Sequence, residues 1–275
     1  MTAEHQEHNA RVREQFRVQA PTFTDTGFAA NNLDWIVTQL SPAPGEQALD
    51  VACGAGHLGR ALAPHLGHVS ALDLTPEMLA QGDQLASRAG LRNISFAVGD
   101  ATSLPWLDGQ FDLVTCRITL HQVADPGAVV REMVRVTRAD GRIGITDIVL
   151  DDPDPEGRFD QQSDPEVAAR NTHLERLRDP SHGRTLRIAE IRHLLIEVGA
   201  TVSSIATRQV RLDLEDWMRR SQTPDSAREE ILRQLDDERA GGPRTGLRPG
   251  HDAGGRTLTH VWATILATPT GREPS

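Results

Sequence analysis

The sequence predicts an α/β fold with a doubly wound, mostly parallel sheet, and three observations carry that prediction. Residues 48–59 read A-L-D-V-A-C-G-A-G-H-L-G, an apolar run ending in Asp50 that opens into Gly54, Gly56 and Gly59 ahead of a helical apolar pattern. Further apolar runs at 68–74, 94–98 and 111–116 also end among polar residues, with Asp73 closing the first of them and Gly99-Asp100-Ala101 following the second. Between the runs, Thr75-Pro76 and Asp125-Pro126 each pair a capping side chain with a proline in the first helical turn. Strands alternating with helices imply parallel pairing through right-handed crossovers. Sheets of this kind bind ligands beyond the carboxyl ends of their strands, where these carboxylates fall.

In chain order, residues 1–10 are polar and expected to fray. Apolar positions from 11 to 40, including Phe16, Phe23, Phe28, Leu33 and Ile36, predict two short helices broken near Pro21. The turn cluster Ser41-Pro42-Ala43-Pro44-Gly45 separates them from the first strand of the core. Strands are then expected at 47–51, 68–74, 94–98, 111–116 and 141–149, and helices at 58–66, 76–88 and 126–136. Beyond Val149 the run D-D-P-D-P-E-G is too acidic and proline-rich to continue a strand, and a helix is expected over 159–178. A helix at 188–198 stops at Gly199. Residues 201–212 and 258–267 alternate like strands, with helices at 214–220 and 226–239 between them and a mobile Gly/Pro/Arg-rich loop over 240–255.

Composition narrows the partners. The chain has 275 residues, enough for one sizeable core, and its balance of 38% hydrophobic and 25% charged residues suits a soluble protein. No apolar run approaches the roughly 20 residues of a membrane span, and the first residues lack the basic and apolar regions of a signal peptide. A cytoplasmic location is therefore expected. The net charge of -10 argues against nucleic acid as a partner. The two cysteines, Cys53 and Cys116, are expected to be buried small residues rather than a disulfide. No C-x-x-C or H-E-x-x-H spacing points to a metal site, and the lack of G-x-S-x-G and G-x-x-x-x-G-K-[ST] removes hydrolase and nucleotide-triphosphatase readings.

Five segments in order, D-V-A-C-G-A-G, A-L-D-L-T-P-E-M-L, G-D-A-T-S-L-P-W, F-D-L-V-T-C-R and V-T-R-A-D-G-R-I-G-I-T-D, resemble the motifs of class I S-adenosylmethionine-dependent methyltransferases. The likeness is greatest to the subgroup similar to the quinone-biosynthesis C-methyltransferases and runs from about Gln47 to Val149. It implies a Rossmann-like, seven-stranded sheet whose last strand runs antiparallel between its neighbours. It also implies an N-terminal helical lid over residues 1–40, a cofactor-binding core over 41–150, a substrate-selecting cap insertion over 151–186, and the C-terminal part of the core over 187–275. In the lid, Gln15, Phe16, Gln19, Ala20 and Phe23 match a family pattern, and Phe16 and Phe23 would exclude water beside the substrate. Read without the resemblance, that segment is equally an amphipathic helix covering a sheet edge.

The resemblance further implies S-adenosyl-L-methionine as cofactor and S-adenosyl-L-homocysteine as its product. Asp50 would orient the methionine amino group, with Gly54 and Gly56 leaving room, and Asp73 would take the ribose hydroxyls. Leu74 and Met78 would flank the adenine, Asp100 would accept from its exocyclic amine, and the Ala101 backbone would touch the ring. Arg117 and His121 lie in C-R-I-T-L-H-Q, the loop that faces cofactor and acceptor in this fold. An imidazole there can take a proton from a phenol or enol, while Arg117 could contact cofactor, orient an acidic acceptor or pair with Asp147. Asp147, His173, His182 and Arg184 are expected around the acceptor. The expected reaction is in-line methyl transfer to oxygen or carbon of a quinone-like or secondary-metabolite small molecule. It needs no metal, no nucleic acid and no membrane, and is compatible with a homodimer. Two rivals remain: a nicotinamide-dependent oxidoreductase, and a cofactor binder turned to a non-methylating reaction such as cyclisation.

Overall fold

In strand β1 (Gln47–Val51), Leu49 and Val51 enter a hydrophobic cluster on one side of the sheet while Ala48 enters a second cluster on the other. Burial on both faces makes β1 a central strand. The computed structural model describes residues 3–151 and 164–270. Its other strands are β2 (His68–Asp73), β3 (Ile94–Val98), β4 (Phe111–Arg117), β5 (Thr137–Val149), β6 (Ala200–Asp213), β7 (Gly250–Asp252) and β8 (Gly255–Pro269). The order across the sheet is β3-β2-β1-β4-β5-β8-β6, with β7 folded back on β8. Strands β1 to β5 are parallel, and β8 runs antiparallel between β5 and β6. The strand order reverses at β1 and β4, so their carboxyl ends open a crevice.

The sheet thus has the expected seven strands and one more. The extra strand, β7, lies in the stretch expected to be loop, where Gly250↔Thr257 and Asp252↔Gly255 pair across a tight turn. Strand β5 also starts earlier than expected, because Thr137 pairs with Phe111 before a bulge shifts the register.

The helices are α1 (Ala3–Gln19), α2 (Leu33–Leu40), α3 (His57–Leu62), α4 (Pro76–Arg88), α5 (Pro126–Val136), α6 (Pro165–Arg178), α7 (Ile188–Glu197), α8 (Leu214–Arg220) and α9 (Asp225–Arg239). Residues of α5 and α7, such as Val130, Met133, Ile191 and Leu195, fill one face with Leu49, Val114 and Ile145. Residues of α2, α3, α8 and α9, such as Leu40, Leu62, Trp217 and Ile231, fill the other with Leu113 and Trp262. Asp164 caps α6 through the backbone N–H groups of Glu166 and Val167. The acidic run after Asp151 and the first part of the helix expected over 159–178 lie outside the described residues. Among the described residues no helix is long and apolar enough to cross a membrane.

Helix α1 differs most from expectation, since residues 3–10 are helical rather than frayed. A helix that is polar nearly all round needs partners other than a core. Here they are side-chain hydrogen bonds to the carboxyl ends of the strands: Asn9 Nδ2 donates to Asp100 Oδ2 at 2.7 Å, and His8 Nε2 donates to the Gln122 carbonyl at 2.6 Å. Farther along, Gln15 Nε2 reaches the Ser221 carbonyl at 3.2 Å. The helix therefore lies across the crevice as a lid.

Gly56 opens α3 at a φ of 64°, and a Cβ there would stand 2.7 Å from the Phe96 ring. Both the left-handed backbone and this close approach demand glycine. Gly56→Ala should lower stability by about 1–3 kcal/mol, the usual range for overpacking. Equilibrium denaturation checks this, and an unchanged midpoint would refute the packing role.

Candidate functional site

At the end of β1 the chain turns sharply, with Ala52 at a φ of 52° and Gly54 at 55°. Ala52 sits in a region that L side chains rarely adopt, a local strain of order 1–3 kcal/mol. The turn brings Gly59 N back to donate to Asp50 Oδ2 at 2.8 Å. A Cβ on Gly59 would lie 3.1 Å from that same oxygen. The other oxygen, Oδ1, is buried without a partner, and Asp50 is 1% exposed. Burial pushes its carboxyl up to about 7, against the pull of the Gly59 N–H and the Arg117 charge.

Asp73 closes β2 with both oxygens partly engaged: Oδ2 accepts from Gly54 N and Oδ1 from Thr75 N, each at 2.8 Å. Burial raises this carboxyl and the backbone donors oppose the rise. Each oxygen keeps a further acceptor site. Asp100, after β3, accepts from Thr102 N and Oγ1 on Oδ1 and from Asn9 and His5 on Oδ2. It is thus committed to the lid helix and to its own turn, which sequence reasoning did not foresee. Burial raises this carboxyl, but the Thr102 and His5 hydrogen bonds outweigh it and the net shift is downward.

One cavity joins these groups. Asp50, Gly54, Asp73, Leu74, Asp100 and Ala101 line it together with Phe16 and Phe23 of the lid and Arg117 and His121 after β4. Phe16 and Phe23 meet edge to face with centroids 6.3 Å apart, closing the apolar side. Cys116 is buried as expected, but Cys53 is half-buried and faces the cavity.

The remaining expected residues lie elsewhere. Gly56 packs against Phe96, and Met78 is buried with Ala20, Ala55 and Leu85 rather than facing the cavity. His173 is exposed on α6 beside Glu230, and Arg184 is exposed and paired with Glu190 at 2.6 Å. Both expectations came from placing the whole 151–186 stretch over the acceptor, whereas α6 turns His173 outward. His182 is buried behind His121, with ring centroids 5.4 Å apart, and does not line the cavity. The segment acts there through its backbone: Gly183 N and Arg184 N donate to the His121 carbonyl at 2.9 and 3.1 Å.

Asp147 does not pair with Arg117, and it too stays outside the cavity. Its carboxylate collects the loop after β4, accepting from Thr119 N at 3.2 Å and Leu120 N at 2.7 Å on Oδ2. Oδ1 accepts from Ile148 N and takes His121 Nδ1 at 2.5 Å. Ile118, at a φ of 55°, makes the turn that sends the loop there. Burial disfavours the His121 imidazolium, but the Asp147 charge and hydrogen bond outweigh it and the ring's pKa is raised. His182 is driven the other way, to about 2, by burial and by the His121 charge. Arg117 instead donates from Nη1 to the Ala29 carbonyl at 2.8 Å and lies 5.6 Å from the Trp262 ring. Burial pulls it down to about 10 while Asp50 draws it up.

Sequence reasoning missed His5, Asn9, Arg178, Trp217, Arg220 and His260, all of which line the cavity. His260 left one trace, a polar residue in the apolar alternation of β8. The others sit on helices whose pattern gave no hint. Among the described residues no group of three His, Cys, Asp or Glu side chains could hold a metal ion.

The chain is similar to proteins already known. A family model described as "Methyltransferase domain" matches residues 42–195, more than half of the chain. The uncharacterized methyltransferase YcgJ of Bacillus subtilis is 32% identical over 189 residues, covering 69% of this chain and 70% of YcgJ. A demethylmenaquinone methyltransferase of Lactobacillus johnsonii is 38% identical over 111 residues, covering 39% of this chain and 46% of that protein. The crystal structure of YcgJ superposes with a TM-score of 0.76 at 25% identity, over 88% of this chain and 100% of YcgJ. A putative methyltransferase from Bacillus halodurans shares the fold with a TM-score of 0.74 at 24% identity, over 86% of this chain and 98% of its own.

If Asp147 holds the imidazolium, Asp147→Asn should lower the His121 pKa, because burial, the largest effect, is then opposed only by the weaker Glu175 charge. Ring-nitrogen NMR titration reads this directly. A pKa unchanged by the substitution would contradict the assignment.

Proposed function

Because the chain belongs to the methyltransferase domain family, we propose that it transfers the methyl group of S-adenosylmethionine to oxygen or carbon of a small, partly apolar acceptor. The acceptor class favoured is quinone-like or secondary-metabolite. The observation that carries the cofactor assignment is the unpaired Asp50 Oδ1, a buried carboxylate oxygen on the cavity wall that has no hydrogen-bond partner. An amino group there would satisfy it, and Asp73 keeps acceptor capacity for a pair of hydroxyls. The residues present therefore fit the cofactor. Leu74 and Ala101 provide the apolar wall for its ring.

When bound, S-adenosylmethionine supplies a methyl group on a sulfonium centre, open to in-line displacement. This chain's part is alignment and the exclusion of water, which can lower a barrier by roughly 7 to 11 kcal/mol. Phe16, Phe23 and the α1 lid keep water out. His121, with Nδ1 held by Asp147, leaves Nε2 to take a proton from a phenol or enol, and Asp147 stabilises the imidazolium that forms. Asp147 is thus a positioning residue and not an acceptor contact.

The demethylmenaquinone methyltransferases support a quinone-like acceptor, although this chain spans less than half of the Lactobacillus johnsonii protein. The net charge of -10 supports a small molecule rather than nucleic acid. No membrane partner and a cytoplasmic setting complete the reading.

Incubation with S-adenosylmethionine and a panel of phenolic and quinol acceptors should yield S-adenosylhomocysteine and a product heavier by one methyl in mass spectrometry. An acceptor rearranged without gain in mass would replace this reading with a non-methylating one. Asp73→Ala should weaken S-adenosylhomocysteine binding by at least about 1.5 kcal/mol, the loss expected for charge-assisted hydrogen bonds. Unchanged affinity in calorimetry would show the ribose assignment to be wrong.

A further inference from the structure

Besides His121, the cavity wall carries Arg178 of α6, Arg220 of α8 and His260 of β8, and the Arg178 charge is felt by both of the others. We propose that this part of the wall is an anion subsite and that the acceptor carries a carboxylate which docks on the two guanidinium groups. The inference rests on the methyl-transfer reading for the reaction of the docked acceptor, but the subsite stands on its own geometry.

Each arginine is fixed from behind and free in front. Arg178 donates from Nε to Glu175 at 3.0 Å and from Nη1 to Ser221 Oγ at 2.5 Å, and its guanidinium lies 4.8 Å from the Trp217 ring centroid. The partner nearest its Nη2 is Asp179, at 4.0 Å and beyond hydrogen-bond reach. Arg220 donates from Nε to Asp216 at 3.0 Å and stacks 4.4 Å from the Phe28 ring. Its two terminal nitrogens make no hydrogen bond among the described residues.

Two cations that share one poorly hydrated space repel, and the Arg178 charge acts on Arg220 in addition to the cost of burial. Glu175 and Asp216 balance the two charges from behind, and Asp179, the carboxylate lining the cavity, stays 4.0 Å from Arg178 Nη2. Asp179 spends Oδ1 on Ser181 N and Oγ, and Oδ2 on Gln122 Nε2. His260 lies in the same wall, 3% exposed, with neither ring nitrogen in a hydrogen bond and Nε2 3.7 Å from Glu175 Oε1. A neutral acceptor would leave these donors desolvated and unpaired, which is costly. A carboxylate can accept from both guanidinium groups at once, the geometry for which arginine is suited. Trp217, Ile148 and His121 line the same cavity, so an aromatic acid anchored there would share it with apolar surface and with the imidazole.

The test is calorimetric titration of the full chain, with S-adenosylhomocysteine present, using 4-hydroxybenzoate and its neutral analogue 4-hydroxybenzamide. The acid should bind at least ten-fold more tightly than the amide. That preference should fall below three-fold in Arg220→Gln and be kept in large part by Arg220→Lys. Retained S-adenosylhomocysteine affinity in both variants shows that they fold. Equal affinities for acid and amide, including no detectable binding of either, would overturn the subsite, as would a preference that survives Arg220→Gln. Failure of the unsubstituted chain to bind S-adenosylhomocysteine would instead strike the methyl-transfer reading and leave the acid preference to be judged by itself.

Discussion

Asp50 is a buried carboxylate with one oxygen paired and one not, and most of the site derives from that imbalance. Burying an ionised group without full compensation is expensive, so the protein holds Asp50 near the midpoint of its titration instead of fully charged. Two features keep it there: Gly59, whose missing Cβ lets a backbone N–H reach Oδ2, and Arg117, whose charge acts from across the cavity. A ligand amino group would complete the set. The β1 turn, strained at Ala52, is shaped to hold this carboxylate and to present Gly54 N to Asp73 at the same time. Two neighbouring acidic groups are thereby oriented by one short loop.

The same economy governs the rest of the crevice. Asp147 gathers the β4 loop and fixes the His121 ring, so a single carboxylate sets both the position and the charge preference of the candidate base. Asp100 performs a comparable task for the lid, since Asn9 and His5 of α1 meet on its Oδ2. That arrangement ties closure of α1 to the place where an adenine amine is expected.

Much of this was legible in the chain because parallel strands must be covered on both faces. Their apolar runs and the polar residues that end them stand out, which located Asp50, Asp73 and Asp100 and the parallel strands they close. What was not legible arises from tertiary contacts that leave no periodic mark. The first turns of α1 carry no apolar stripe and are held by hydrogen bonds to residues 91 and 114 positions away. Arg178 and Arg220 read as ordinary helix-surface arginines, yet aromatic faces and carboxylates behind them turn both toward the cavity. Met78 and Asp147 were placed near a ligand by their position in a motif, whereas packing drew one into the core and backbone donors claimed the other. The positive φ of Ala52 and Ile118 has no signature at all, since neither is glycine.

The central claim is that Asp50 awaits a cation, and the pH dependence of S-adenosylhomocysteine affinity tests it most directly. With the free carboxyl near 7, binding of an ammonium group must expel the Asp50 proton in acid. Calorimetry should therefore show affinity falling as pH drops below about 7, approaching ten-fold per unit, and Asp50→Asn should bind weakly with no such slope. An affinity that stays level from pH 8 to about 6 in the unsubstituted chain would contradict the account.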